Sequence, residues 1–60
     1  MKASELAKRF AVNVNTVRHY VRSGLLTPGK DASGYHSFGH EEVRRLSFIL
    51  RARALGFTLD

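Results

Sequence analysis

A chain of 60 residues with ten Lys or Arg, five Asp or Glu, no Cys and no Trp has room for one small domain spanning residues 1–60. Such a chain buries only about 60% of the surface its unfolded form exposes, so the fold must be simple, and without Cys neither disulfides nor thiolate-bound metal can staple it. With 43% hydrophobic and 25% charged residues the composition is that of a folded chain, and no apolar run exceeds three residues, which excludes a membrane span. Glu5, Lys8 and Arg9 interrupt the stretch where the apolar core of a secretory signal would sit, and the lack of Cys fits a reducing compartment.

The predicted elements follow in chain order. Ser4 is a good N-cap, with Glu5 in the first turn and Leu6, Ala7 and Phe10 at helical spacing, which predicts a short helix over residues 4–10. Ala11 to Asn13 make a tight connection, with the Asn13 side chain placed to accept from the Thr16 N–H. A second helix is expected over 14–23, with Val14, Val17 and Val21 on one face and Gly24 as its stop. Two short helices joined by so brief a turn form a helix-turn-helix. Residues 27–39 then change texture. Pro28, Gly29, Asp31, Ser33, Gly34 and Gly39 interleave with Tyr35 and Phe38, which suits a loop or a short β-hairpin turning at Asp31 to Gly34. Val43, Leu46, Leu50, Ala54 and Phe57 finally step by three or four, with Ile49 beside them, predicting an amphipathic helix over about 40–55 that Glu41 and Glu42 start and Gly56 stops. The fold class expected is mainly α: helix, helix, short β-hairpin wing, helix.

Charge is distributed unevenly along this order. Residues 1–30 hold six basic side chains against Glu5 alone, whereas residues 31–60 hold four of each sign, so the whole net charge of +5 belongs to the first half. A one-sided basic excess is the footprint of a surface that meets polyanions. Composition alone leaves a nucleic-acid binder and a merely basic surface both open.

The second helix is the natural reader. Asn15, Thr16, Arg18, His19 and Arg22 are hydrogen-bonding side chains near the start of a braced helix, and Arg and Asn can each meet a purine edge in the major groove with two bonds. A solvated helix face is the plain alternative, which the helix-turn-helix spacing and the charge asymmetry disfavour. Lys30, Tyr35 and His36 on a hairpin beside that helix would grip adjacent phosphates or the minor groove. Tyr35 and Phe38 lie three apart, so one can pack inward while the other faces outward; both closing the core is the alternative.

Other chemistries fail on their own requirements. Gly24 to Lys30 has the spacing of a phosphate-cradling GxxxxGK loop, yet Asp31 puts a carboxylate where a magnesium-binding hydroxyl is needed, and no strand precedes it. His19, His36 and His40 fit no zinc spacing. No Ser-His-Asp set could be enclosed in a dry pocket by so short a chain. Neither an enzyme nor a bound cofactor or metal is expected.

Thr16-Val17-Arg18-His19-Tyr20, Gly24-Leu25-Leu26, Gly34-Tyr35-His36, Val43-Arg44-Arg45-Leu46 and Ala52 to Leu59 together resemble, in order and spacing, the DNA-binding domain of the MerR family of bacterial transcription regulators. The resemblance covers essentially the whole chain. It implies a winged helix-turn-helix that binds double-stranded operator DNA in the bacterial cytoplasm, at the nucleoid. Asn15, Thr16, Arg18, His19 and Arg22 would belong to the recognition helix, Tyr35 and His36 to the wing tip, and Tyr20 and Gly24-Leu25-Leu26 to the framework. Family members also act as homodimers joined by a C-terminal coiled coil, and they reach RNA polymerase indirectly by distorting the promoter. Three positions depart from the pattern: His19 stands where Tyr or Phe is usual, His36 where the wing has Arg, and Val21 where Glu is common.

The family continues past the Gly56 to Leu59 segment into further helices, so the resemblance implies a fragment of a longer regulator, monomeric by itself, with Phe57 and Leu59 lacking packing partners. Two other readings stay open from sequence: a free-standing, excisionase-like architectural DNA-binding protein, and a winged-helix module that holds an acidic, DNA-mimicking protein partner.

Overall fold

A computed structural model describes residues 1–56. They form helix α1 (Ala3–Arg9), helix α2 (Val14–Arg22), strands β1 (Gly29–Lys30) and β2 (His36–Ser37), and helix α3 (His40–Ala54). The order is the one the sequence predicts. Phe57, Leu59 and the rest of the Ala52 to Leu59 segment beyond Gly56 lie outside the described residues.

Local chemistry accounts for each boundary, with corrections at two of them. The N-cap of α1 is Lys2, two residues before Ser4, because Lys2 is extended at φ −79° and ψ 163° and its N–H donates to Glu5 Oε1 at 3.1 Å. Glu5, at the third helical position, satisfies the N-cap N–H, the half of a capping box that comes from inside the helix, while Lys2 has no side-chain acceptor to supply the other half. At α2 the Asn13 side chain does cap, but it accepts from the Asn15 N–H at 2.8 Å; the Thr16 N–H is already bonded to the Asn13 carbonyl at 2.9 Å. Gly24, at φ +84°, ends the helix in a Schellman motif: its N–H donates to the Val21 carbonyl and that of Leu25 to the Tyr20 carbonyl, at 3.1 and 2.9 Å.

The turn between α1 and α2 rests on Ala11 at φ 55°, a left-handed conformation in a residue other than glycine. The wing is an antiparallel pair with Gly29 opposite Ser37 and Lys30 opposite His36. Asp31 closes its loop, since its Oδ1 accepts from the Ser33 and Tyr35 N–H groups at 2.8 and 3.1 Å while Gly34 takes φ +84°. Helix α3 opens with Gly39 donating its N–H to Glu42 Oε1 at 3.3 Å.

All of these elements close on one core. Leu6 and Ala7 come from α1, Val17 and Tyr20 from α2, Leu26 and Phe38 from the segments on either side of the wing, and Leu46 and Ile49 from α3. Val14, Val21, Val43 and Leu50 pack half-buried around them. The stripe on α3 is therefore centred on Leu46 and Ile49, and Ala54, expected within it, is exposed. Each fully buried large apolar side chain adds about 2 kcal/mol relative to an exposed one, and Phe38, the largest, ties the wing to the helices.

Candidate nucleic-acid interface

Asn15, Arg18, His19 and Arg22 recur at i, i+3, i+4 and i+7 along α2, which puts them on one helix face, and all four are exposed. Thr16 is half-buried. The opposite face, carrying Val17 and Tyr20, is buried against α1 and α3. Burial thus decides which face of α2 is left to meet a partner.

The wing stands beside that face. Arg18 and Arg22 of α2 and Tyr35 and His36 of the wing line one concavity of about 450 Å³, floored by Ala3, Val21 and Phe38. Tyr35 is 66% exposed and Phe38 1%, so of the two aromatics the first faces solvent and the second enters the core. The His36 ring meets Phe38 edge to face at 6.2 Å between centroids, which gives the imidazole an apolar support on one side. Lys30 is opposite His36 in the hairpin register and so projects from the same face of the ribbon, but it lies outside the concavity. Asn15 and Thr16, in the first turn of α2, and His19, between the two arginines in sequence, also lie outside it.

Two polar lining residues were not among the site residues expected from sequence: Lys2 and Ser4, at the start of α1. No local signal marks them. They reach the site only because α1 packs across α2 with its first turn beside the wing. None of the nine residues around the concavity carries a carboxylate. A surface with several cationic and hydrogen-bonding groups and no acid among them matches the phosphate backbone of a duplex, while Arg18 and Arg22 have the forked donors that read guanine.

Among the described residues no group of three His, Cys, Asp or Glu could hold a metal ion, and no helix is long and apolar enough to cross a membrane.

Two helices joined by a tight turn, a two-stranded wing and a third helix closing the core define a winged helix-turn-helix. The model of the MerR HTH family regulatory protein matches residues 1–60, and the chain belongs to that family. The mercuric resistance operon regulatory protein of Bacillus cereus is 42% identical over 60 residues, covering 98% of this chain and 46% of the relative. The HTH-type transcriptional regulator ZntR homolog of Haemophilus influenzae is 40% identical over 61 residues, covering 100% of this chain and 45% of the relative. Among solved structures, HiNmlR, a MerR family regulator lacking the sensor domain and bound to promoter DNA, matches with a TM-score of 0.87 at 25% identity, over 98% of this chain and 46% of that one. The chain spans a little under half the length of the curated relatives it matches.

Proposed function

We propose that this chain is the operator-recognising domain of a MerR-type bacterial transcription regulator and binds double-stranded DNA sequence-specifically. In this reading α2 enters the major groove, Asn15, Thr16, Arg18, His19 and Arg22 are the side chains available to base edges and flanking phosphates, and Lys30, Tyr35 and His36 hold the backbone from the wing. The observation that carries it is the acid-free concavity in which two α2 arginines face two wing residues. That a structural neighbour of the same fold is bound to promoter DNA supports the reading.

Dimerisation belongs to the reading as well. A single domain of this size offers too few contacts for a tight operator complex, and linking two raises the effective concentration of the second. The length of the relatives leaves room for a linking segment. RNA polymerase would be met indirectly, through the shape of the promoter, in the bacterial cytoplasm. The domain itself performs no bond-making chemistry in this scheme and needs no cofactor.

Selection from a randomised duplex pool, followed by titration over a salt series, tests the proposal. The expected result is an enriched motif whose log affinity falls linearly with log salt, by about 0.9 for each phosphate neutralised, and an Arg18→Ala variant that binds selected and random duplexes alike. No enrichment, or binding indifferent to salt, would overturn it.

A further inference from the structure

Lys2 sits where three elements meet. Its Nζ lies 5.7 Å from the centroid of the Tyr35 ring, within range of a cation–π contact, and the side chain lines the same concavity as Arg22 and His36. The backbone around it is tied down on both sides. Phe38 donates its N–H to the Met1 carbonyl at 2.7 Å, and the Met1 amino group donates to the Phe38 carbonyl at 2.7 Å, so the residue before Lys2 pairs with the residue after β2. The Lys2 N–H is held in turn by Glu5.

These contacts change what the lysine can do. A free lysine loses much rotamer freedom when it grips an anion. Here the ring of Tyr35 already confines the ammonium, and contact with a π face leaves its N–H donors available to an oxygen acceptor. Building on the DNA-binding reading, we infer that Lys2 is a phosphate-binding residue, contributed from ahead of α1, with Tyr35 as the platform that presents its ammonium to the same stretch of DNA backbone that the wing grips. The interface then has three contributors: α2 for the groove, the wing, and the segment preceding α1.

The test uses the full chain and a random-sequence duplex about two helical turns long, with anisotropy titrations over a salt series for the unmodified chain, Lys2→Met, Lys2→Gln and Lys2→Arg. The exposed Lys2 side chain can be replaced without opening the core, which the amide spectrum of each variant checks. Lys2→Met and Lys2→Gln should each reduce the magnitude of the salt slope by about 0.9 and weaken binding about fivefold near physiological salt, while Lys2→Arg keeps the slope. A slope unchanged in both neutral variants, whether or not affinity falls, overturns the inference and leaves Lys2 a purely structural role. If the unmodified chain binds no duplex, the DNA-binding reading fails and the role of Lys2 fails with it.

Discussion

The Arg53 guanidinium, near the end of α3, donates from Nη1 to the hydroxyl of Tyr20 on the buried face of α2 at 2.8 Å. Tyr20 is 4% exposed and its backbone carbonyl accepts the N–H groups of Leu25 and Leu26 that close α2. One residue therefore joins the helix stop, the core and the last turn of α3. Tyr20→Phe should cost about 1 kcal/mol, lowering the thermal midpoint by about 4–8 °C, since the lost bond is a single one and Arg53 can turn to water. A double-mutant cycle with Arg53→Ala, read by chemical denaturation, should give a coupling of the same size; additive losses would show that the bond contributes nothing.

Ala11 pays a conformational penalty in the turn of the helix-turn-helix. At φ 55° its Cβ crowds the backbone, whereas a glycine there would not, although glycine also gains freedom in the unfolded chain. The first effect is the larger. Ala11→Gly should stabilise the domain by about 0.5–1 kcal/mol and Ala11→Val should destabilise it by more than that, measured as shifts in the urea midpoint at constant slope.

In the wing loop one side chain, Asp31, combines a charge with a structural role. Asp31 places a carboxylate beside the proposed DNA path, yet its Oδ1 organises the loop through two N–H bonds. An asparagine keeps the acceptor and drops the charge. Asp31→Asn should tighten binding to random duplex severalfold at low salt, and Asp31→Ala should instead speed hydrogen exchange at the Ser33 and Tyr35 amides. At position 36 the wing carries an imidazole, where the sequence resemblance implies Arg. His36→Arg puts a guanidinium with five donors there and should make the salt slope steeper by about 0.9, the signature of one more phosphate contact.

Phe38 and Phe48 are the same residue in opposite situations. Phe38 is 1% exposed at the junction of wing and helices, and Phe38→Ala should cost about 3–5 kcal/mol, comparable to the entire stability of so small a domain. Phe48 is 68% exposed on α3, beside Arg44 and Arg51 in a shallow groove, and Phe48→Ser should change stability by less than about 0.5 kcal/mol. Circular dichroism melts of the two variants separate these outcomes directly.

Most of the fold was legible because its signals are local. Asn13 and Gly24 bracket α2 through bonds to residues within five positions, Asp31 and Gly34 close the wing within four, and Leu46 and Ile49 repeat at helical spacing. The misreadings were local as well. Ser4 and Lys2 competed for the cap of α1, and the Glu5 carboxylate decided in favour of Lys2. Ala54 kept the period of α3 yet is covered by none of the described residues, since periodicity marks a face and cannot say how far along the helix the core extends.

From the order of residues alone came the winged helix-turn-helix, the polar face of α2, and the basic excess on the half of the chain that carries it. These follow from capping, turn chemistry and the 3.6-residue period, which act over a few positions. Tertiary packing alone decided that Lys2 stands against Tyr35, that Arg53 reaches Tyr20, and that Arg18 and Arg22 share a concavity with His36. Those partners are separated by 33 residues in two cases and by 14 or more in the third. No local rule relates side chains so far apart; closure of the core around Phe38, Leu46 and Val17 brings them together.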